Sequence, residues 1–540
     1  MEHREFAADI VIVGGGLGGV AAAWAALRQG RTVVLTEETD WLGGQMTSQA
    51  VPPDEHPWIE HFGCTRSYRT LRERIRQYYH RYYPLSEKAR NAAYFNPGNG
   101  FVSAICHEPR VSLAVIEAIL APYRAGGSLR ILLRHRPVSA EVEGERIRSV
   151  SLLSGDDETA LTVSAPYFID ATEWGDLLPL ARVEYVTGAE SRDETGEPHA
   201  ARTADPLNMQ AVSWCFVVDH VEGEDHTIER PGNYHFWRDH YPTLKPDWGS
   251  KLLSWSATHP ITLDPVVRTF DPVHPEPERG PMDLWTFRRI AARDNFMEGT
   301  YRSDIVLVNW PQIDYMLGPV TELEPAEAGR HLEGARELSL SMLYWMQTEA
   351  PRLDGGTGWP GLRLRGDLTG TSHGLARAPY IRESRRIRGE FTVLEQHVGT
   401  KARMEVTGLQ REEVQAERFQ DSVGVGAYRI DLHPSTGGDN YIDVSSLPFQ
   451  IPLGALIPVR VENLLPGCKN LAVTHVTNGC YRLHPVEWNV GEAAGLLAAH
   501  CLDRGRRPRE VRGRSEYLEE FQKLLVRHGV ELSWPRLAPL

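Results

Sequence analysis

An uninterrupted apolar run, Ile10–Val13, opens the ordered pattern of the chain, and a strand with one wet face would have interrupted it with polar residues. Such a run fits a strand covered on both sides, as in the middle of a parallel sheet. Gly14-Gly15-Gly16-Leu17-Gly18-Gly19 follows at once, and the alanine-rich stretch 20–27 reads as a helix stopped by Gly30. Residues 31–37 supply a second apolar strand, completing a strand–turn–helix–strand unit of about 30 residues.

Farther along, Leu71, Ile75, Tyr79 and Tyr82 recur at helical spacing within 68–83, and Pro84 ends that pattern. A helix is also predicted over 111–123. Short segments at 129–133, 138–142, 147–153 and 161–163, separated by turn signals such as Glu143-Gly144-Glu145 and Ser154-Gly155-Asp156-Asp157, predict a β-meander. Tyr167-Phe-Ile-Asp-Ala-Thr172 is an apolar strand with a small, acidic end. From about Asp205 to Asn440 the texture turns to Pro, Trp and His with long connections, which reads as an inserted mixed α+β substrate domain. The last clear helix is predicted over 491–500. Arg504-Gly-Arg-Arg-Pro508 then leads into a helical tail, so the expected units are 1–204, 205–440, 441–505 and 506–540.

Composition narrows the function classes. A chain of 540 residues exceeds one minimal core, and mean hydropathy of -0.36 with 41% hydrophobic residues is that of a folded globular protein. A net charge of -14 argues against nucleic-acid and anionic-membrane partners, which basic surfaces attract. The Arg-rich run 66–81 and the group Arg382, Arg385, Arg386 and Arg388 read as ion-paired faces; Arg382 and Arg385 would pair with Glu383 and Glu390 rather than clamp a substrate carboxylate. Six cysteines without a CxxC pair give neither a zinc site nor a dithiol motif, and no metal is expected. With no apolar leader before Asp9 and no spanning stretch, a cytoplasmic enzyme is the expectation.

The glycine run carries the chemistry. Gly14 permits a tight turn, Gly16 lets a pyrophosphate reach the backbone, and Gly19 lets helix and strand pack closely, while the helix start offers free N–H groups. Glu37 ends the second strand, placed to accept from ribose hydroxyls and to repel a 2′-phosphate. Trp41-Leu42-Gly43-Gly44-Gln45 favours FAD over NAD, because two glycines there let backbone pass close to a longer cofactor.

The run 11–45 resembles the N-terminus of the FAD-dependent oxidoreductase family related to glutathione-reductase-type flavoproteins. Phe168-Ile-Asp-Ala-Thr-Glu-Trp-Gly-Asp176, Asn309-Trp-Pro-Gln-Ile-Asp-Tyr315, Tyr380-Ile-Arg-Glu-Ser-Arg-Arg-Ile387 and the segment 470–495 extend the resemblance. It implies an α/β fold: a Rossmann-like FAD-binding domain with a β-meander, formed by 1–204 and 441–505, around the inserted domain. It also implies that Ala171 and Thr172 flank FAD, and that Gly491-Glu492 opens a helix whose dipole faces the flavin pyrimidine edge. Glu38, Val138 and Asn489 complete the expected cofactor set.

A redox cysteine pair and a second GxGxxG are both missing, and Gly424-Val-Gly-Ala-Tyr lacks the third glycine. The expected hydride donor is therefore a small organic substrate, with oxygen or another acceptor reoxidising the flavin. His484, His56, Tyr481 and Arg482 are the catalytic candidates, His484 foremost because it stands seven residues before Gly491. The rival readings are a monooxygenase reduced by free NAD(P)H and a flavoprotein whose FAD is structural or electron-transferring. A homodimer is compatible with either.

Overall fold

Ile10–Val13 lies at the centre of a five-stranded parallel sheet ordered Leu464–Pro466, Tyr167–Asp170, Ile10–Val13, Val33–Glu37 and Leu129–Leu133. The computed structural model describes residues 4–156 and 159–540; Asp157, part of the predicted turn, lies outside them. Every residue of Ile10–Val13 has no exposed surface, as its unbroken apolar pattern requires. The 129–133 strand departs from expectation. It pairs in parallel with Val33–Glu37 instead of joining the meander, because the helix Pro109–Ala125 precedes it and a strand–helix–strand connection returns parallel.

The meander proper is His135–Glu143, Arg146–Ser154 and Ala160–Ser164, joined at its edge by Arg4–Ala7. A separate antiparallel sheet of Arg289–Ala291, Ile305–Val308, Phe216–His220 and Leu362–Leu364 is backed by the long helix Pro325–Thr348. Its hydrophobic cluster contains Trp248, Trp285 and Trp310, and Trp255 stacks on Phe270 with ring centroids 4.9 Å apart. The tryptophans that marked this region in the sequence therefore fill a second core.

The chain returns to the parallel sheet through Leu464–Pro466 and ends in the helix His484–Arg504, which crosses Leu17–Arg28. Small residues set that crossing. A Cβ on Gly491 would sit 2.0 Å from the Gly18 carbonyl oxygen, and one on Gly495 would sit 2.3 Å from that of Ala22. The two backbones meet where neither has a side chain, which fixes how the C-terminal helix lies on the glycine loop. The tail helix Ser515–His528 seals the far side with Phe521, Leu524 and Leu525. Among the described residues no helix is long and apolar enough to cross a membrane.

Candidate active site

Gly14 has φ 100°, and a Cβ there would lie 2.2 Å from the Ala171 carbonyl oxygen, so the turn admits only glycine. Val13 and Asp170 are register partners, and Asp170 anchors the loop that follows: one oxygen accepts from the Thr172 N–H at 3.0 Å and from its hydroxyl at 2.7 Å. Glu37 accepts from the N–H groups of Gly15 and Thr39, each at 2.9 Å. Between these strand ends lies a small pocket lined by Gly14, Glu37, Glu38, Pro137, Ala171 and Thr172. Val138 follows Pro137 on the meander strand that forms its wall.

The start of the helix Leu17–Arg28 has no side-chain cap of its own. A carboxylate from far along the chain serves instead: Gly18 N–H donates to Glu487 Oε1 at 3.2 Å. Glu487 is in turn held by Gln45 and lies 3.8 Å from Lys469 Nζ, which also pairs with Glu173. Burial pushes the Glu487 carboxyl up, against the pull of Lys469. An acidic group at this spot is what a bare helix N-terminus attracts.

The C-terminal helix starts at His484, seven residues before the predicted position. Gly491 and Glu492 therefore lie two turns inside it, where helix packing and not capping explains the glycine. Glu492 pairs with Arg28 at 2.5 Å and accepts from Ser67, while Asn489 exchanges hydrogen bonds with Val423 and Val425. All three residues brace neighbouring segments, and none lines the pocket between the strand ends.

The histidines predicted for catalysis are committed elsewhere. His484 accepts from the Asp54 N–H at Nδ1 (3.1 Å) and donates from Nε2 to the Val51 carbonyl (3.2 Å); burial pushes its pKa down to about 3, so it is a neutral strap on the 51–54 segment. His56 bonds the Gly63 carbonyl and packs edge-on against Trp534. Tyr481 stacks on Phe449 at 4.3 Å and donates to Gln450, wholly inside the core.

Arg482 is different. Its Nη2 pairs with Asp431 at 2.9 Å, and its Nη1 reaches the Tyr380 hydroxyl at 3.5 Å. Tyr380 donates to Gln45 Oε1 at 3.0 Å, which ties this group to the Gly43-Gly44 turn. Asp431 faces His433 Nε2 at 3.6 Å, His433 Nδ1 lies 2.6 Å from Asp314, and Asp314 pairs with Arg382 at 3.0 Å. Alongside, Arg288 pairs with Asp54 at 3.2 Å. Against the effect of burial, Arg382 and His433 hold the Asp314 carboxyl below its ordinary range. Arg288, His433 and Asp431 each keep 10 to 14% of their side-chain surface accessible, so this ribbon of charge is not fully closed off. The expected partners were wrong here: Arg382 pairs with Asp314, Arg385 with Asp176 and Glu322, and it is Arg386 that pairs with Glu383. The tertiary crossing places those carboxylates nearer than the adjacent residues in sequence.

Residues 9–525 match the model of a family described as FAD dependent oxidoreductase. The chain belongs to that family. No curated protein matches it. Among solved structures, a geranylgeranyl bacteriochlorophyll reductase-like protein of Thermoplasma acidophilum is similar over 97% of this chain and 85% of its own, at 10% identity and TM-score 0.31. Quinol fumarate reductase of E. coli is similar over 97% and 74%, at 11% identity and TM-score 0.31. L-proline dehydrogenase of P. horikoshii is similar over 35% of this chain, at 20% identity and TM-score 0.17, and this chain spans 25% of its length.

FAD fits what this FAD-dependent oxidoreductase presents. Cβ atoms on Gly16 and Gly44 would fall 2.8 and 2.6 Å from one atom, Glu173 Oε1, so two bare backbones from separate loops face a common point. That oxygen is buried with no hydrogen-bond partner. The residues that would hold the dinucleotide are Gly14 to Gly19, Glu37, Glu38, Gly43, Gly44, Ala171 and Thr172. Tyr380, Asp431, His433 and Asp314 escaped sequence reasoning. Asp314 and Tyr380 lay inside segments noted for resemblance, but nothing in spacing links positions so far apart.

Burial pushes the Glu37 and Asp170 carboxyls up to about 7, against their hydrogen bonds. A carboxyl raised in the folded state binds a proton that the unfolded chain has already released, so its contribution to stability is lost as pH rises from the ordinary carboxylate range to about 7. FAD-free protein is expected to lose more thermal stability than its Glu37→Gln variant over that rise, by at most about 3 kcal/mol. Buried His484 acts in the opposite sense and is common to both proteins. Parallel melting profiles against pH would refute this.

Proposed function

We propose that the chain is a dehydrogenase or oxidase that takes a hydride from a small organic molecule bound beside Tyr380, Asp431 and His433. Bound FAD supplies the hydride acceptor, and oxygen or another acceptor takes the electrons onward. The supporting observation is the continuous set of contacts from Gln45 of the glycine turn, through Tyr380 and Arg482, to the Asp431–His433–Asp314 group. His433 is the residue placed to accept the substrate proton. A carboxylate only accepts, so the close Asp314 contact fixes a proton on Nδ1, and Nε2, 3.6 Å from Asp431, is the nitrogen at which the substrate proton would be taken up. The imidazolium formed when Nε2 takes a proton would lie between Asp314 and Asp431. Tyr380, pushed up to about 12 by burial although Arg482 pulls it down, stays protonated and donates.

This reading takes the fold as glutathione-reductase type, with residues 205–440 as an inserted substrate unit between 1–204 and 441–505. The separate tryptophan core supports that division. The test is anaerobic bleaching of the purified yellow protein against amines, alcohols, sugars and hydroxy acids. One class is expected to bleach the flavin without added nicotinamide. Bleaching by NAD(P)H alone would favour a monooxygenase instead, and resistance to every donor would leave FAD a structural or electron-transferring role.

A further inference from the structure

Beyond the ribbon of paired charges stands an arginine with no partner. Arg268 is 9% exposed, its Nε and Nη1 are buried without a hydrogen bond, and among the described residues it forms no ion pair. Burying a guanidinium without a carboxylate costs several kcal/mol in general, so sequences retain one where something else pairs with it. Its guanidinium lies 5.6 Å from the Phe287 ring centroid, and that of Arg288 lies 5.3 Å from the same ring. Arg288 already holds Asp54 but has an unpartnered Nε.

The surroundings show which way the pair opens. Phe287, Arg288, Tyr428 and Tyr441 are all half-buried. Tyr441, which acts electrostatically on Arg268, lies against His433 with ring centroids 4.7 Å apart, so Arg268 neighbours the charged group beside which the substrate is proposed to bind. Across the whole group four guanidiniums, of Arg268, Arg288, Arg382 and Arg482, face three carboxylates, of Asp54, Asp314 and Asp431. Asp443, farther out, is taken by Arg429. With His433 neutral, as its proposed role as proton acceptor requires, these groups are short of one negative charge.

We propose that Arg268, assisted by Arg288, is a binding site for a carboxylate of the substrate, and that the enzyme therefore acts on an organic acid whose body lies against Phe287 and Tyr441. This rests on the reading of the charged group as the substrate site. A monoanion closes the charge balance, whereas a phosphate dianion would leave one buried negative charge. The Arg268 guanidinium makes no hydrogen bond among the described residues, so a parallel N–H pair, Nε with Nη2 or Nη1 with Nη2, can meet the two oxygens of a carboxylate.

The test uses the FAD-loaded protein and non-oxidisable probes, read by perturbation of the flavin spectrum. Benzoate is expected to bind and benzamide not. Arg268→Met is expected to weaken benzoate by about 10- to 100-fold, and Arg268→Lys by less. Because Arg268 has no internal partner, Arg268→Met should melt no lower than the parent without ligand, whereas a structural arginine would melt lower when removed. Equal binding of benzamide, unaltered benzoate affinity in Arg268→Met, or a lowered melting temperature of that variant would overturn the proposal. Tighter binding of phenyl phosphate would overturn the carboxylate assignment. Benzoate binding without bleaching by any donor would sink the hydride-transfer reading and leave this site standing; bleaching by neutral donors without benzoate binding would do the reverse.

Discussion

The His433→Asn enzyme is expected to keep its yellow FAD and to bleach about 10²- to 10⁴-fold more slowly with its substrate, the usual range for a lost general base. Asparagine can still donate to Asp314 where Nδ1 does, so the charge ribbon stays closed and the loss reports the missing Nε2 lone pair. A second signature separates base from scaffold. If His433 only braced Asp314, added imidazole would leave the variant's bleaching rate unchanged; if it accepts the proton, imidazole should restore part of that rate. A bleaching rate within a few-fold of the parent would remove His433 from the chemistry and leave Tyr380 as the next candidate.

Gly14→Ala is expected to abolish FAD retention. The substitution asks an L-residue to hold φ 100° and to place its Cβ 2.2 Å from the Ala171 oxygen, and neither strand can give way in a sheet whose centre has no exposed surface. The loop would have to move away from Ala171 and Thr172, opening the turn that presents Gly15 and Gly16 to the dinucleotide. The variant should therefore purify colourless, with flavin absorbance absent even after incubation with excess FAD. Full flavin content in Gly14→Ala would show that the cofactor is held elsewhere. The neighbouring close approach at Gly18, whose Cβ would meet the Gly467 oxygen at 1.9 Å, gives an independent check from the opposite strand end.

The two variants probe different halves of one design. The parallel sheet and its glycine turns form a rigid cradle, while Asp314, on a short strand paired with Val212–Ser213, and Arg382 pair with each other outside that sheet. Neither half has a complete site. Gln45 joins them, accepting from the Tyr380 hydroxyl and donating to the Arg482 carbonyl.

Local chemistry made the cradle legible in the sequence. An apolar run, a glycine cluster, an alanine-rich helix and a strand ending in Glu37 are neighbours along the chain, and each places the next within a few residues by backbone geometry alone. The strand at 167–170 and the acidic loop after it were legible for the same reason. The C-terminal helix was misread because Gly491 looks like a start when only its own neighbourhood is considered. In the fold Gly491 is small because Gly18 crosses it, 473 positions earlier in the chain, and no local pattern encodes that meeting. His484, singled out by its distance from Gly491, starts that helix, and its two nitrogens serve Val51 and Asp54, which only the folded chain brings near. The charged group was decided wholly by tertiary structure, since Asp54, Arg288, Asp314, Tyr380, His433 and Arg482 come from segments that converge only in the folded chain. Short-range sterics shape the glycine turns, whereas the meeting of these charged side chains depends on long-range packing that no local pattern encodes.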